Sequence, residues 1–235
     1  MVDALPFIIP LGLLVLAQFI KLPRIKGMLG EGVVRAAFRR KLDPDVYRCL
    51  HDLTFDTPRG TTQIDHIVVS RFGVFVIETK NMAGWIFGSP EQARWTQVLH
   101  RKKTTFQNPI RQNYGHLKTV QSVLNLDEAC LHNVVAFVGD ARAKTPFPDT
   151  VLWSARALVR FIRSRTTPVI SPSEVDHMVA RLEAARLENG RMTRRAHVRQ
   201  VRARVEARGP SGTACPNCGG KMVARTSRKT GEHFI

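Results

Sequence analysis

The most constraining feature of the sequence is a pair of strand-like runs joined by a very short turn. Residues 63–70 and 73–80 both have strand composition, and only Arg71 and Phe72 separate them. Such a short connection allows antiparallel pairing, whereas a parallel crossover needs about a dozen residues or more. The second run is apolar on both faces as far as Ile77. The sequence therefore predicts a hairpin whose second strand is central and buried.

Charged side chains follow at the end of this hairpin. Because side chains alternate along a strand, Glu78 and Lys80 share one face, and Asp65 on the partner strand falls across from them. Two carboxylates at a sheet end can hold a hard cation such as Mg²⁺. A neighbouring lysine can orient a water molecule and neutralise phosphate charge. The alternative is an ordinary ion pair and a turn acid, but convergence at one end of one hairpin favours the metal and phosphate chemistry.

The remaining patterns predict a mixed sheet with helices around it. Apolar spacing indicates a helix at residues 29–42, and Pro109 suits the first turn of a second helix that ends near Leu124. Ser173 is expected to cap a C-terminal helix that extends to Leu187. We interpret the aromatic residues Trp85, Trp95 and Phe106 as sheet packing. Further strands are predicted at Tyr47–Phe55, Trp85–Phe87, Trp95–Leu99 and Val134–Val138, and a further helix at Ala155–Ser164. This order is typical of an α/β or α+β domain.

An apolar segment of 17 residues precedes these elements at positions 4–20. Its length is at the lower limit for a helix that crosses a bilayer. Basic residues follow it, and by the positive-inside rule this places the N-terminus outside and the rest of the chain in the cytoplasm. We therefore expect a single-pass membrane anchor with a basic flank at residues 1–27. A buried or interfacial helix is the alternative, because Pro6, Pro10 and Gln18 weaken the span.

Composition narrows the class of protein further. With 43% hydrophobic and 23% charged residues, the chain is neither wholly disordered nor a polytopic membrane protein. Aromatic residues make up 7%, which argues against a single-strand binder built on many stacking platforms. The net charge of +17 indicates a polyanionic partner.

The excess charge is concentrated towards the C-terminus. Residues 28–154 contain 16 basic and 12 acidic residues, whereas residues 155–209 contain 13 arginines and five acidic residues. We therefore expect the region 155–209 to be helical and to provide most of the affinity for DNA or for an anionic lipid surface. A solvated, charged helical face is the plainer alternative. By the same argument, residues 28–154 are expected to bind nucleic acid weakly on their own.

Several spaced motifs occur in order along the chain. They are Gly30-Glu-Gly32, Tyr47, Gly60-Thr-Thr-Gln-Ile-Asp-His-Ile-Val-Val-Ser70, Phe72-Gly-Val-Phe-Val-Ile-Glu-Thr-Lys-Asn81, Gly84-Trp-Ile-Phe-Gly88, Trp95-Thr-Gln97 and Phe106-Gln-Asn-Pro-Ile-Arg-Gln-Asn113. Together they resemble the nuclease-related domain family, NERD. The resemblance extends over about residues 28–140 and implies a nuclease fold of the PD-(D/E)XK type, in which helices flank a mixed sheet.

The resemblance implies a catalytic set of four residues. Asp65 is the metal-binding aspartate, and Glu78 with Lys80 forms the E-x-K element, so that Asp65 and Glu78 would bind Mg²⁺. Glu31 would be the acid of the first helix. From the residues alone, Glu31 has a simpler interpretation as a first-turn glutamate that complements the helix dipole.

Three glutamines are weaker candidates under the same resemblance. Gln97, and Gln107 or Gln112 near the start of the following helix, would contact nucleic-acid phosphate or metal-bound water. His66 and His116 are interpreted as structural residues rather than metal ligands.

A second motif, Cys215-Pro-Asn-Cys218-Gly-Gly, lies near the C-terminus. Such a knuckle supplies half of a tetrahedral zinc site. The segment resembles the C-terminal zinc ribbon of type IA DNA topoisomerases, whose second cysteine pair has no counterpart before Ile235. We therefore expect a partial zinc ribbon at residues 210–235, in which Cys215 and Cys218 hold Zn²⁺ weakly. A truncated product, a decayed module and a site shared between chains are the alternatives.

These observations together predict a membrane-anchored, cytoplasm-facing protein. Its parts are an anchor at residues 1–27, a nuclease-related domain at 28–154, an Arg-rich helical region at 155–209 and a partial zinc ribbon at 210–235. The expected function is Mg²⁺-dependent hydrolysis of DNA phosphodiester bonds. The alternative is a non-catalytic DNA-binding or scaffolding protein that keeps the nuclease fold.

Overall fold

A computed structural model describes residues 23–58 and 60–187, and the backbone of two dipeptides, Arg225–Thr226 and His233–Phe234. The apolar segment at 4–20, the arginine-rich run from Arg191 to Arg208 and the Cys215–Cys218 motif lie outside the described residues. Within the described part, no helix is both long enough and apolar enough to span a bilayer. The membrane anchor and the partial zinc ribbon therefore stay predictions.

Residues 23–58 and 60–187 form a mixed α/β fold with two sheets. Each helix and strand that the sequence predicts between residues 29 and 164 has a counterpart in the structure. The elements are α1 (Pro23–Lys41), β1 (Tyr47–Thr57), β2 (Gly60–Ser70), β3 (Gly73–Asn81), β4 (Gly84–Phe87), β5 (Arg94–Leu99), β6 (Lys102–Gln107), α2 (Pro109–Leu124), a 3₁₀ turn (Glu128–Cys130), β7 (Leu131–Val138), β8 (Ala141–Ala143), β9 (Val151–Leu152), α3 (Ala155–Arg163), α4 (Pro172–Ala185), β10 (Arg225–Thr226) and β11 (His233–Phe234).

The larger sheet has the strand order β1-β2-β3-β7-β9. Strands β2 and β3 form the predicted antiparallel hairpin, in which His66 lies opposite Ile77 and Ser70 opposite Gly73. Strand β7 pairs with β3 in the parallel direction, so the sheet is mixed. All side chains from Val74 to Ile77 are fully buried. The prediction of a central, buried strand is confirmed.

Helices cover both faces of this sheet because β3 is apolar on both sides. Val74 and Val76 belong to a core that includes Val120 of α2 and Leu182 of α4. On the other face, Phe75 and Ile77 belong to a second core that includes Val34 and Phe38 of α1 and Leu158 of α3. The sheet therefore forms the middle of three layers, and the end of β3 emerges between helices α1 and α2.

The smaller sheet has the strand order β6-β5-β4-β8. Ile86 and Trp95 are fully buried on one of its faces and pack with Phe137 of the larger sheet. The interpretation of Trp85 as a packing residue is wrong, since half of Trp85 is exposed. The reason is strand alternation: Ile86 occupies the core face of β4, so its neighbour Trp85 faces solvent.

The predicted N-cap of α4 is also wrong. The helix begins at Pro172, and its cap is Ser171 rather than Ser173. The Ser171 hydroxyl accepts a hydrogen bond from the Glu174 backbone N–H (3.3 Å), and the Glu174 carboxylate accepts one from the Ser171 backbone N–H (2.9 Å). This reciprocal capping box, with proline at the first helical position, determines where the helix starts.

The chain divides into two compact units, of which the first contains both sheets and the four described helices. The second unit contains an antiparallel pair of two-residue strands, in which Arg225 lies opposite Phe234 and Thr226 opposite His233.

Candidate active site

The hairpin brings three predicted site residues together where β2 and β3 leave the core. The Asp65 carboxylate accepts a hydrogen bond from the backbone N–H of Thr79 on the neighbouring strand (2.8 Å). Glu78 is 4% exposed, although it follows directly after the apolar run of β3. Lys80 Nζ donates to Glu78 Oε1 at 2.6 Å. Carboxylates and an ammonium therefore share one partly enclosed end of the sheet.

Helix α2 supplies further polar groups to the same place. Lys80 Nζ also donates to Gln112 Oε1 at 3.1 Å. One turn later, His116 Nε2 lies 3.3 Å from Glu78 Oε2, which is within ion-pair distance. The other ring nitrogen of His116 lies 2.9 Å from the Thr62 hydroxyl. Both oxygens of Glu78 thus have a partner, and the lysine is held from two sides.

The position of α2 is determined by two buried asparagines. Asn108 caps the helix, since its side-chain oxygen accepts from the N–H groups of Ile110 and Arg111 while its amide donates to backbone carbonyls between β4 and β5. Asn113 donates to the carbonyls of Val76 and Val134 on the two central strands (2.7 and 3.1 Å). These bonds hold the side chains of the next turn over the end of β3.

Helix α1 brings the fourth predicted residue, Glu31, towards this end. The helix approaches closely at Gly30, where an added Cβ would lie 2.7 Å from the Asn81 Cβ. Glu31 lies 3.9 Å from the Arg35 guanidinium, which also hydrogen-bonds to Asp52 of β1. Because the helix begins at Pro23, Glu31 lies in its third turn, so the interpretation of Glu31 as a first-turn glutamate that complements the helix dipole is wrong. Glu31 is instead part of a network of two acids and one arginine.

The site holds more negative charge than its cations balance. Burial, followed by the nearby charge of Glu78, raises the pKa of Asp65 well above its ordinary value, and Glu31 adds to the effect. Burial also raises the pKa of Glu31, and Asp52 adds to that shift. Burial acts in the same direction on Glu78, but His116 and Lys80 outweigh it and hold the pKa of Glu78 below its usual range. A cation between the acids would relieve this repulsion.

The sequence of this region has known relatives. Residues 26–138 match the nuclease-related domain, NERD. An uncharacterized protein of Bacillus anthracis is 50% identical over 110 residues, which make up 46% of this chain and 51% of that protein. The chain thus aligns with about half the length of this relative. Asp65, Glu78 and Lys80 all lie within residues 26–138, the range that matches the nuclease-related domain.

The residues of the nuclease-related region fit a magnesium ion better than an ion that needs many protein ligands. No group of three or more His, Cys, Asp or Glu residues within 23–58 and 60–187 is arranged to enclose a metal. Mg²⁺ usually binds through one or two carboxylates and keeps several waters. Asp65 and Glu78 provide two carboxylates, and burial, followed by the charge of Glu78, raises the pKa of Asp65. The donor set therefore suits Mg²⁺ with water and phosphate as its other ligands.

The structure separates the three glutamines that the sequence identifies as candidate contacts. Gln112 contacts Lys80, as described above. Gln97 instead donates to the Ala83 carbonyl at 2.7 Å and accepts from the Thr104 hydroxyl at 3.4 Å, so its amide ties the smaller sheet together. Gln107 is exposed at the end of β6, opposite Arg94.

The sequence does not assign His116 to the site. His116 contacts Glu78, and the only sequence signal was its spacing of four from Gln112, which puts both on one face of α2. His66, by contrast, lies in the core, with its Nδ1 2.9 Å from Nδ1 of His51. Burial, and then the neighbouring His51, lowers the pKa of His66 to about 3, so its ring is neutral.

Proposed function

We propose that the nuclease-related region hydrolyses phosphodiester bonds of nucleic acid, with DNA as its main substrate and Mg²⁺ as its cofactor. The observation that carries the proposal is the convergence of Asp65, Glu78 and Lys80 at one sheet end, where the ammonium lies 2.6 Å from a buried carboxylate. The match to the nuclease-related domain supports the same class of chemistry.

Each residue has a role that follows from its contacts. Asp65 and Glu78 would hold Mg²⁺, which supplies charge stabilisation to a phosphate and lowers the pKa of a bound water. Lys80 would neutralise charge that develops on the phosphate oxygens, and its bonds to Glu78 and Gln112 restrict the ammonium to one position. Burial, and then Asp52, raises the pKa of Glu31, which would complete the site as a third acid.

The proposal is tested by cleavage of labelled single- and double-stranded DNA with Mg²⁺. We expect Lys80→Met to lower the cleavage rate by about 100-fold or more, since it removes a group that acts on the reacting phosphate. Lys118→Met is the matched control, because Lys118 lies on α2 but pairs with Glu128 at the surface. Wild-type activity of Lys80→Met would contradict the assignment, and equal losses in both variants would attribute the effect to charge alone.

A second candidate is a DNA-binding or scaffolding role without turnover. It is favoured by the contacts of Glu78, whose two oxygens already lie within ion-pair distance of Lys80 and His116. The charge of Glu78 itself is therefore paired without a metal. Salt-sensitive DNA binding that survives Glu78→Ala, combined with no cleavage under any divalent cation, would establish this role instead.

We also propose three features that involve residues outside the described part. The apolar segment at 4–20 anchors the protein in a membrane, the arginines of 155–209 add affinity for DNA, and Cys215 with Cys218 binds Zn²⁺ weakly. The sequence patterns alone support them. Liposome flotation of the full chain, with and without residues 1–22, tests the anchor: flotation that persists without them would contradict it.

A further inference from the structure

The solvent side of the smaller sheet carries an aromatic ring among cations. Strand register places Trp85 opposite Val98 on one side and opposite Arg142 on the other. Val98 in turn lies opposite Lys103. Residues directly opposite one another in a sheet share a face, so these four side chains form a row across all four strands.

Alternation along the strands extends this row. Arg94 and Gln107 lie opposite each other, an even number of residues from Val98 and Lys103, and so belong to the same face. Lys144 follows β8 directly, and its ammonium lies 4.5 Å from the Trp85 ring centroid. The opposite face of the sheet contributes Ile86 and Trp95 to the core. We call the outward set Trp85, Arg94, Lys103, Gln107, Arg142 and Lys144 the Trp85 face.

The Trp85 face is exposed and has one sign of charge. Trp85 is 50% exposed, and its five partners on the face are all exposed as well. Its four cations form no ion pair with a carboxylate among residues 27–58 and 60–187. Arg94 is oriented along the sheet by hydrogen bonds to the hydroxyl and carbonyl of Thr105 (3.2 and 3.0 Å). The face therefore presents unneutralised cations around a partly open ring.

Protection of sheet edges explains only part of this arrangement. Lysine and arginine on edge strands prevent edge-to-edge association, and β6 and β8 are both edges. Trp85 lies on β4, an inner strand, where no edge needs protection. Half of the Trp85 side chain is nevertheless exposed to solvent. An exposed ring at this position favours a partner that has an aromatic surface of its own. Cations with no acid among them select a partner that also carries negative charge.

We propose that the Trp85 face binds single-stranded nucleic acid, with a base stacked on Trp85 and phosphates held by the surrounding cations. Base–aromatic stacking and phosphate neutralisation are the two terms of such binding. The inference rests on the proposed function, since it identifies where a strand is held before it reaches Lys80. Five residues along the chain limit the distance between the Cα atoms of Lys80 and Trp85 to about 18 Å. About five stacked nucleotides cover that distance.

The expectation that residues 28–154 bind nucleic acid weakly on their own rests on net charge alone. Their charges are nearly balanced in number, but the structure separates them. Acids concentrate at the site that includes Asp65 and Glu78, whereas the Trp85 face has cations alone. Net charge averages over this separation, so it underestimates the affinity of one face.

The phosphate contacts are tested with a fluorescent oligothymidylate and the full chain in EDTA, at several salt concentrations. Arg142→Ala combined with Lys144→Ala should weaken binding and reduce the slope of log affinity against log salt by about 1.4, since each phosphate contact to a single strand contributes about 0.7. Arg39→Ala combined with Arg40→Ala is the matched control. It removes the same charge from exposed positions on α1, and its slope should stay that of the wild type.

Stacking is tested separately at Trp85. Trp85→Ala should weaken binding about fivefold or more, whereas Trp85→Phe should retain most of the affinity but lose the tryptophan quenching that the oligonucleotide causes. Unchanged affinity of Trp85→Ala, or equal slope losses in the two double variants, would overturn the inference. These measurements need no turnover, so they separate the two proposals. Binding at this face without cleavage would refute the nuclease and keep the inference, and cleavage with unaltered binding in the variants would do the reverse.

Discussion

Replacement of Asp65 by asparagine should stabilise the protein while it abolishes cleavage. The antiparallel register pairs His66 with Ile77. Asp65 precedes His66 and Glu78 follows Ile77, so the half-buried Asp65 and the buried Glu78 lie close to each other on neighbouring strands. Burial, and then the charge of Glu78, raises the pKa of Asp65 well above its ordinary value. Asparagine keeps an oxygen that can accept the Thr79 N–H and removes the charge.

The size of the effect follows from the geometry. Two like charges about 5 Å apart, a typical spacing of neighbouring side chains on adjacent strands, repel by about 3 kcal/mol at an effective dielectric constant near 20. Loss of the attraction between Asp65 and Lys80 offsets part of this gain. We therefore expect a net stabilisation of about 1–2 kcal/mol, which corresponds to a rise in Tm of about 2–8 °C for a domain of this size.

The measurement is thermal unfolding at pH 7.5 in EDTA, followed by tryptophan fluorescence. Asp149→Asn is the control, because Asp149 is exposed, and its Tm should equal that of the wild type. Addition of Mg²⁺ at ten times its dissociation constant should stabilise the wild type by about 1.4 kcal/mol and Asp65→Asn by much less. A Tm of Asp65→Asn at or below the wild-type value would refute the account of repelling carboxylates.

The pH dependence has a definite sign. A carboxyl whose folded-state pKa is raised binds more protons in the folded than in the unfolded state, so stability falls as pH rises from about 3.9 through the raised pKa of Asp65. The advantage of Asp65→Asn over the wild type should therefore vanish near pH 3 and grow towards neutral pH. An advantage that does not change with pH would contradict this origin.

Three further predictions concern elements around the site. Burial, and then His51, lowers the pKa of His66 to about 3, so the folded state binds fewer protons between that pKa and the ordinary value and loses stability as pH falls. In urea unfolding, the difference in unfolding free energy between wild type and His66→Asn should shrink by about 2 kcal/mol from pH 7.5 to pH 5. A difference that does not change with pH would disprove the buried neutral ring. Ser171→Ala should cost about 1 kcal/mol of unfolding free energy and Ser173→Ala much less, whereas the reverse order would contradict the cap. Gly30→Ala should lower both Tm and cleavage rate, since its Cβ would meet Asn81; wild-type values of both would show that α1 accommodates the methyl group.

The central hairpin could be predicted because its signals are local. Two apolar runs joined by a turn of two residues can pair only as an antiparallel hairpin. Strands β2 and β3 form this hairpin at the predicted positions. Strands β8 and β9 have three and two residues, too few to show a period. Trp85 and Trp95 both lie in strands with suitable composition. Which of them is buried depends on the side from which the smaller sheet packs on Phe137, a contact between residues far apart in sequence.

The residues of the candidate site also divide into those that local sequence predicts and those that depend on contacts between distant parts of the chain. Asp65, Glu78 and Lys80 come from adjacent strands, so their proximity follows from pairing alone. His116 and the Arg35 network depend on how α1 and α2 dock on the sheet, which the asparagine contacts of α2 and the close approach of Gly30 determine. Nothing in the local sequence around His116 separates a core histidine from one that contacts Glu78.

The most direct test of the central claim is the rate of DNA cleavage by purified wild-type protein and by Glu78→Gln, each in Mg²⁺ and in EDTA. We expect the wild type to cleave DNA only with Mg²⁺. The cleavage rate of Glu78→Gln should be lower by about 100-fold or more, because this substitution keeps the shape of the side chain and removes its charge. Cleavage that persists in EDTA, or that Glu78→Gln retains at the wild-type rate, would contradict the central claim.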